Sequence, residues 1–437
     1  MIPTLQLGGL GRARQQGAPL SDAPFVSVSR STTLSTAAAT MTAIPYDTEI
    51  TDTDGFWASS PNPERLIIPT GLAGWYFGTF AHTIPDTNST IETGSVLVRA
   101  GPSAGQYFRT YPLVNNYDET PRNIAALTYL AEAEYMQQDW RHRSSTSPIS
   151  LLAGARAAMV RLSPDSLIGA HVYNSGSTAC ATASWVRLNF ATEVRDDGGM
   201  YDPGTAYRLT VPSGGAGWYV MGGTFYLETG INGLRALLQV NGSVVARQSG
   251  AVASVDVPAM AVVAVRYLSD GQYIELFCDH NLGSTKNATD ARLMAARVAA
   301  VTYGAALRRT TNQSLSGIDE AAISFDTEDR DDGGYFTSGS PTRITVPPGK
   351  GGRHIITGTG QFSGSTGGLR QLVIRKNGST DLVKQEIYPF ASHNDPHMCV
   401  ADAAPLVAGD YLELVARDGG ASVNFAGAYF AAVRVPG

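Results

Sequence analysis

Apolar and polar positions along this chain follow one another over short spans, not at helical spacing. Tyr273-Ile274-Glu275-Leu276-Phe277 and Tyr411-Leu412-Glu413-Leu414-Val415 alternate or run apolar with aromatic and β-branched content, which is the pattern of strands. Leu234–Val240 and 369–375 each run into an Asn-Gly pair, Asn241-Gly242 and Asn377-Gly378. That dipeptide supplies the two positive-φ residues of a type I′ hairpin turn. Pro69, Pro212 and Pro347 each end a short apolar run, because proline cannot continue a central strand. The stretch 290–300 has helix propensity, but its place in the pattern below makes it a strand.

The pattern recurs three times. In 44–79 the order is Thr48-Glu49, Asp52, Asp54-Gly55, Arg65-Leu66-Ile67-Ile68-Pro69 and Gly74-Trp75-Tyr76. In 188–225 it is Thr192-Glu193, Asp196-Asp197-Gly198-Gly199, Arg208-Leu209-Thr210-Val211-Pro212 and Gly217-Trp218-Tyr219. In 323–362 it is Thr327-Glu328, Asp331-Asp332-Gly333-Gly334, Arg343-Ile344-Thr345-Val346-Pro347 and Gly352-Arg353-His354. The far ends match too. Tyr129-Leu130 before Tyr135 aligns with Tyr267-Leu268 before Tyr273, and with Leu406 before Tyr411. Each copy closes on a small-residue strand ending in Arg, at 155–161, 292–297 and 426–434.

This divides the chain into an extended N-terminal docking arm (1–43) and three domains (44–162, 187–299 and 323–437), the first most divergent. Residues 163–186 and 300–322, rich in Ser, Gly, Thr and Asn, read as linkers. The arm is rich in Gly, Ser, Thr and Ala and cannot build a core alone.

Composition supports many turns and few helices: 437 residues with 47 Gly, 23 Pro and only 16% charged side chains. A formal net charge of −6 without a Lys/Arg stripe argues against nucleic acid. Cys180, Cys278 and Cys399 are odd in number and far apart, which supports neither a disulfide framework nor a zinc site. No secretory signal is read at the N-terminus. The most apolar stretch, 257–265, is too short to span a bilayer.

The succession of Thr-Glu, Asp-Gly turn, Arg-Leu-x-Val-Pro, Gly-Trp-Tyr, Asn-Gly-Ser hairpin and Gly-Asp-Tyr-Leu-Glu-Leu resembles a known family. It is similar to the globular head of complement and tumour-necrosis-factor-like proteins, in the form found in bacteriophage virion proteins. The first copy departs from it: Asn-Gly-Ser is missing near 96–99 and polar residues enter at 118–122. The resemblance implies an all-β chain of three tandem jelly-roll β-sandwich domains, usually packed as tight trimers. It places Tyr135, Tyr273 and Tyr411 near a three-fold axis, against the plainer reading of ordinary sheet residues. Three chains stacked as a homotrimeric rod are favoured, with a pseudo-trimer inside one chain left open.

The function implied is that of a non-enzymatic structural protein of a tailed-phage virion, made in the host cytoplasm: a tail fibre, spike or baseplate (minor tail) protein. Capsid decoration as a head fibre, and a secreted adhesin or ligand of the same fold, are the alternatives. Leu5, Leu7, Leu10, Phe25, Val26 and Val28 of the arm are expected to dock on other virion proteins by adding strands to a sheet edge. A host cell-surface glycan or protein is the expected partner at the far end.

Catalytic motifs are absent: no G-x-S-x-G, H-E-x-x-H or P-loop occurs, so no enzyme and no cofactor are expected. Asp52 and Asp54 before Gly55 offer alternating oxygens of the kind calcium takes, but the rest of a twelve-residue loop is missing, and a polar turn is the competing reading. His393, Asp395 and His397 form the densest set of metal-ligating types, in one copy only and around Pro396.

Overall fold

The computed structural model describes residues 22–37, 40–84, 91–100, 106–110, 120–144, 148–162, 168–228, 233–250, 259–316, 319–363, 368–387, 395–420 and 423–437. Among them there is no α-helix, and the one helical element is a 3₁₀ turn at Pro203–Thr205. The chain is all-β and forms three jelly-roll β-sandwiches.

Each domain has an inner and an outer antiparallel sheet of the same strand order. In domain 1 the inner sheet runs Thr48–Asp52, Phe25–Ser29, Arg156–Arg161, Gly74–Ile84, Thr120–Leu130. In domain 2 it runs Thr192–Asp197, Gly169–Cys180, Lys286–Arg297, Gly217–Leu227, Ala259–Leu268. In domain 3 it runs Thr327–Asp332, Gly304–Arg309, Val423–Val435, Gly352–Ser363, His397–Leu406. The outer sheets end on the hairpin strands Gln106–Thr110, Ser243–Gly250 and Thr380–Ile387. The Asn-Gly turns form as expected, with φ of 48° and 76° at Asn241 and Gly242 and 53° and 70° at Asn377 and Gly378.

Two sequence expectations are corrected. Phe25, Val26 and Val28 are not free arm residues: they lie in Phe25–Ser29, between the strands Thr48–Asp52 and Arg156–Arg161, and are fully buried. The stretches 163–186 and 300–322 are not plain linkers, because they carry Gly169–Cys180 and Gly304–Arg309, the opening strands of domains 2 and 3. These strands mix Gly, Ala and Ser with a few apolar residues and with polar ones such as His171, Asn174, Arg308 and Arg309. Their small side chains suit a position inside a sheet covered on both faces, and composition alone does not separate such a strand from a loop. Leu5, Leu7 and Leu10 lie outside the described residues.

The fourth strand of each inner sheet is largely buried on both faces, and in domain 2 every residue of Gly217–Leu227 is buried. In a strand, successive side chains point to opposite sides. In domain 3, Ile356 accordingly belongs to the domain's own core. Its neighbour Ile355 joins Cys399, Ala401, Ala403 and Val433 in a cluster continuous with domains 1 and 2. The second face is covered by the other domains.

Candidate functional site

The three domains surround a pseudo-three-fold axis, and their seams are where buried polar chemistry concentrates. At each seam the hairpin strand of one domain meets the edge strand of the next inner sheet. Gln106–Thr110 meets Ala259–Leu268, Ser243–Gly250 meets His397–Leu406, and Thr380–Ile387 meets Thr120–Leu130. The succession 1 to 2, 2 to 3 and 3 to 1 closes a ring within one chain. The homotrimeric stacking favoured by the sequence is therefore not what brings three domains together here.

A sheet edge carries a row of unpaired N–H groups, and burying one without a partner is costly. On His397–Leu406 three alternate N–H groups are taken by an oxygen from another domain, and a fourth, Ala403 N, donates to Asp402 Oδ1 at 2.8 Å. His397 N donates to Ser249 Oγ at 3.1 Å and Cys399 N to Gln248 Oε1 at 2.8 Å. Ala401 N donates to Asn123 Oδ1 at 3.0 Å. The Cys399 thiol donates to the Val263 carbonyl at 3.1 Å, and burial pushes its pKa up to about 11. Small residues at this register, Ala125, Val263 and Ala401, let the three edges approach.

Two seams share one cluster. Between domains 1 and 2, Trp75 Nε1 donates to Asp197 Oδ2 at 3.1 Å and the Arg195 guanidinium lies 3.4 Å over the Tyr129 ring. Between domains 2 and 3, Trp218 Nε1 donates to Asp332 Oδ2 at 2.9 Å and Arg330 lies 4.0 Å over Tyr267. In both, the arginine also pairs with its own aspartate. Each tryptophan opposes its tyrosine across paired strands and meets it edge-on.

The closing seam differs at every one of these places. Register puts Arg353 and Pro405 where the other domains have Trp and Tyr, and Thr51 and Thr53 where they have Arg and Asp. Arg353 lies 4.7 Å over the Phe25 ring instead. Asp402 pairs with Arg156 Nη1 at 3.2 Å and accepts from Thr79 Oγ1 at 3.1 Å. Burial pushes the Asp402 pKa up, opposed by Arg156. Arg122, nearly fully buried, donates to the Glu386 carbonyl at 2.8 Å, and burial lowers its pKa to about 9. Asp22 bridges to Pro436 and lies 3.8 Å from Arg434 at this same seam.

Tyr135, Tyr273 and Tyr411 are not at the axis. Each is half-buried in its outer sheet beneath an arginine of its own domain: Arg65 at 4.4 Å, Arg208 at 4.7 Å and Arg343 at 3.9 Å. The aromatics common to two seams are Trp75, Tyr129, Trp218 and Tyr267, which stand in the sequence as repeat markers. An available signal was the unbroken apolar run Gly217–Leu227, since an antiparallel strand with one wet face would alternate.

The acidic loop is occupied by its own backbone. Asp52 accepts from the N–H groups of Asp54, Gly55 and Trp57 at 3.2, 2.9 and 2.8 Å. Asp196 and Asp331 do the same for their loops. Asp54 accepts from Thr53 Oγ1. His397 sits in the edge strand, Asp395 just before it, and His393 lies outside the described residues. Burial first, and then Arg122 and Arg292, push His82 and His171 down to about 3. That makes both too weakly basic to take a substrate proton near neutrality. Among the described residues no helix is long and apolar enough to cross a membrane.

No protein-family model matches the chain, and no curated protein matches it. Among solved structures it is similar to the N-terminal CBM22-1–CBM22-2 tandem domain of Xyn10C from Paenibacillus barcinonensis, at 9% identity over 64% of this chain and 100% of that one, with a TM-score of 0.20. It is also similar to the triple jelly roll of an archaeal virus turret assembly, at 10% identity over 94% of this chain and 91% of that one, TM-score 0.19. A third is the infectious bursal disease virus Gx strain, at 8% identity over 96% of this chain and 82% of that one, TM-score 0.20. These likenesses are too distant to bear on function, and the fold rests on the strand pairings above.

Proposed function

We propose that this chain is a non-enzymatic structural protein of a tailed-phage virion, displayed at the tail as a fibre, spike or baseplate component. It acts as a trimer equivalent made from one polypeptide. The observation that carries the reading is the closed ring: the surfaces that a homotrimer of such domains would use are filled by the chain's own domains. Asp22, the first described residue, bridges to Pro436 at the closing seam, and residues 1–21 precede it in the chain. That segment, with Leu5, Leu7 and Leu10, is the proposed anchor to other virion proteins.

Two measurements test this. Light scattering should give a mass near 46.2 kDa, and a mass near three times that would remove the trimer-equivalent reading. Particles from a host carrying the gene should contain the chain by mass spectrometry and lose it when residues 1–21 are deleted. A chain found only in the soluble lysate would remove the virion reading. A pseudo-three-fold body also suits a three-fold position on a capsid, so antibody labelling of tail against head decides between the two.

A further inference from the structure

The seam between domains 2 and 3 leaves a cleft that none of the contacts above fills. Val244, Ala246 and Arg247 face Thr359, Gln361 and Tyr429 across a cavity of about 110 Å³. Arg247 is fixed by its backbone: its N–H donates to Thr359 Oγ1 at 3.4 Å, and its carbonyl accepts from the same hydroxyl at 3.2 Å. Its side chain is not so used. The Arg247 Nε is buried and, among the described residues, has no partner. Its Nη groups are not closed off in that way and make no hydrogen bond or ion pair among the described residues, so they remain free to meet a ligand.

The surroundings are cationic. Arg235 and Arg247 lie 5.2 and 5.9 Å from the ring of Trp185. Arg235 pairs with Asp279. Arg266, 5.2 Å over the Tyr429 ring, and Arg308 share the single carboxylate of Asp329. Four guanidiniums thus stand against two carboxylates in a chain of net charge −6. Burial and the Arg235 charge lower the Arg247 pKa, which an arriving anion would reverse. Trp185 is 36% exposed, whereas Trp75, Trp140 and Trp218 are buried. Domain 3 has Glu320 and Lys384 at the places of Trp185 and Arg247, so the jelly roll itself does not require this pair.

We propose that this cleft binds a carboxylate-bearing saccharide. The carboxylate accepts from the two Nη groups of Arg247, a two-point geometry that guanidinium favours. The sugar ring lies outside the cavity on the exposed face of Trp185, which stands beside the cleft with its ring 5.9 Å from the Arg247 guanidinium and offers an apolar surface with a polar rim. The Gln361 amide and Tyr429 hydroxyl meet ring hydroxyls. This deepens the host-surface part of the reading above and rests on it, but it does not depend on a tail position.

The test is calorimetric titration of the full chain with 3′-sialyllactose against lactose, and with tetragalacturonate against maltotetraose. The expected result is that one acidic probe binds and its neutral partner binds about tenfold more weakly or not at all. Arg247→Gln should weaken the acidic probe about tenfold and Trp185→Ala about threefold or more, with native mass and melting temperature unchanged. Sulfate at matched ionic strength should not displace the sugar. Four outcomes each overturn the proposal: no binding of either acidic probe, equal binding of the neutral partner, indifference to Arg247→Gln, or full displacement by sulfate. Binding retained by a chain absent from particles would remove the virion reading and leave the cleft. A chain present in particles that binds neither probe would do the reverse.

Discussion

The seams between domains 1 and 2 and between domains 2 and 3 join a tryptophan and a tyrosine to an arginine and an aspartate, while the seam between domains 3 and 1 has a different residue at all four positions. The first two are head-to-tail contacts of one kind. A head-to-tail contact closes into a ring only if the rotation is right, and otherwise runs on into an open filament. Domain 3 lacks the Trp-Tyr half and domain 1 lacks the Arg-Asp half, so a second chain finds no matching surface to extend the array. The closing seam instead uses a buried ion pair, Arg156 with Asp402, and an arginine over Phe25. Specificity gained by withholding a complementary group from the wrong partner is the physical content of this difference.

The largest test of the comparison is truncation of the shared aromatic. Trp218→Ala should cost about 3–5 kcal/mol in urea unfolding, as for other buried large-to-small changes, and Trp75→Ala should do nearly the same. Arg353→Ala, at the corresponding place in the closing seam, should cost about 1 kcal/mol. Equal losses at the three places would erase the distinction drawn between the seams.

Next comes the ion pair. Asp402→Ala strands Arg156 and should cost about 2–3 kcal/mol, less than the roughly 3–5 kcal/mol of a fully buried broken pair because Arg156 is partly solvated. The double change Asp402→Leu with Arg156→Met should recover to within about 1 kcal/mol of the parent. If the double variant is as unstable as the single one, the pair is not what holds this seam.

Restoring the common cluster sharpens the comparison without removing anything from the core of a domain. A variant with Arg353→Trp, Pro405→Tyr, Thr51→Arg and Thr53→Asp has three like seams. Its native mass should rise with concentration into multiples of 46.2 kDa, where the parent stays single. A variant that remains a monomer throughout would mean the divergence of the closing seam does not guard against extension.

The smallest effect lies away from every seam and serves as the control. Asp326 accepts from the N–H and hydroxyl groups of Thr310 and Thr311 and from the Thr327 hydroxyl. Burial opposes its charge, but these bonds together hold its pKa well below the usual carboxylate range. Domain 2 has Ala191 at this place. A depressed folded pKa stabilises above the unfolded value of about 3.9 and stops doing so as pH falls through the folded value. Asp326→Ala should therefore cost about 1 kcal/mol at pH 7, discounted for exposure. The gap to the parent should narrow as pH drops below about 4, with no change in native mass. A gap that is constant down to pH 2 would detach the effect from this carboxylate.

Much of each domain was legible locally. Asn241-Gly242 and Asn377-Gly378 demanded positive φ and have it. The Arg-Leu-x-Val-Pro and Tyr-x-Glu-Leu runs became paired strands, Arg208–Thr210 against Tyr273–His280. The opening strands Gly169–Cys180 and Gly304–Arg309 are not legible locally, because small, polar and apolar residues follow one another in them without an amphipathic period. Phe25–Ser29 reads as part of an arm in the sequence because no repeat motif precedes it. One of the four divergent positions of the third seam is visible as Trp75, Trp218 and Arg353, yet nothing in a linear alignment says which copy's tryptophan meets which copy's aspartate.

By itself, then, the sequence determined three copies of one two-sheet domain, their turns and most of their strands, because alternation, turn dihedrals and proline stops act over a few residues. Tertiary structure alone decided that the three copies close on one another. That outcome depends on the relative rotation of folded bodies and on which edge N–H groups find an oxygen, as His397, Cys399 and Ala401 do in Ser249, Gln248 and Asn123. Those partners lie more than a hundred residues apart in the chain, beyond the reach of any local pattern.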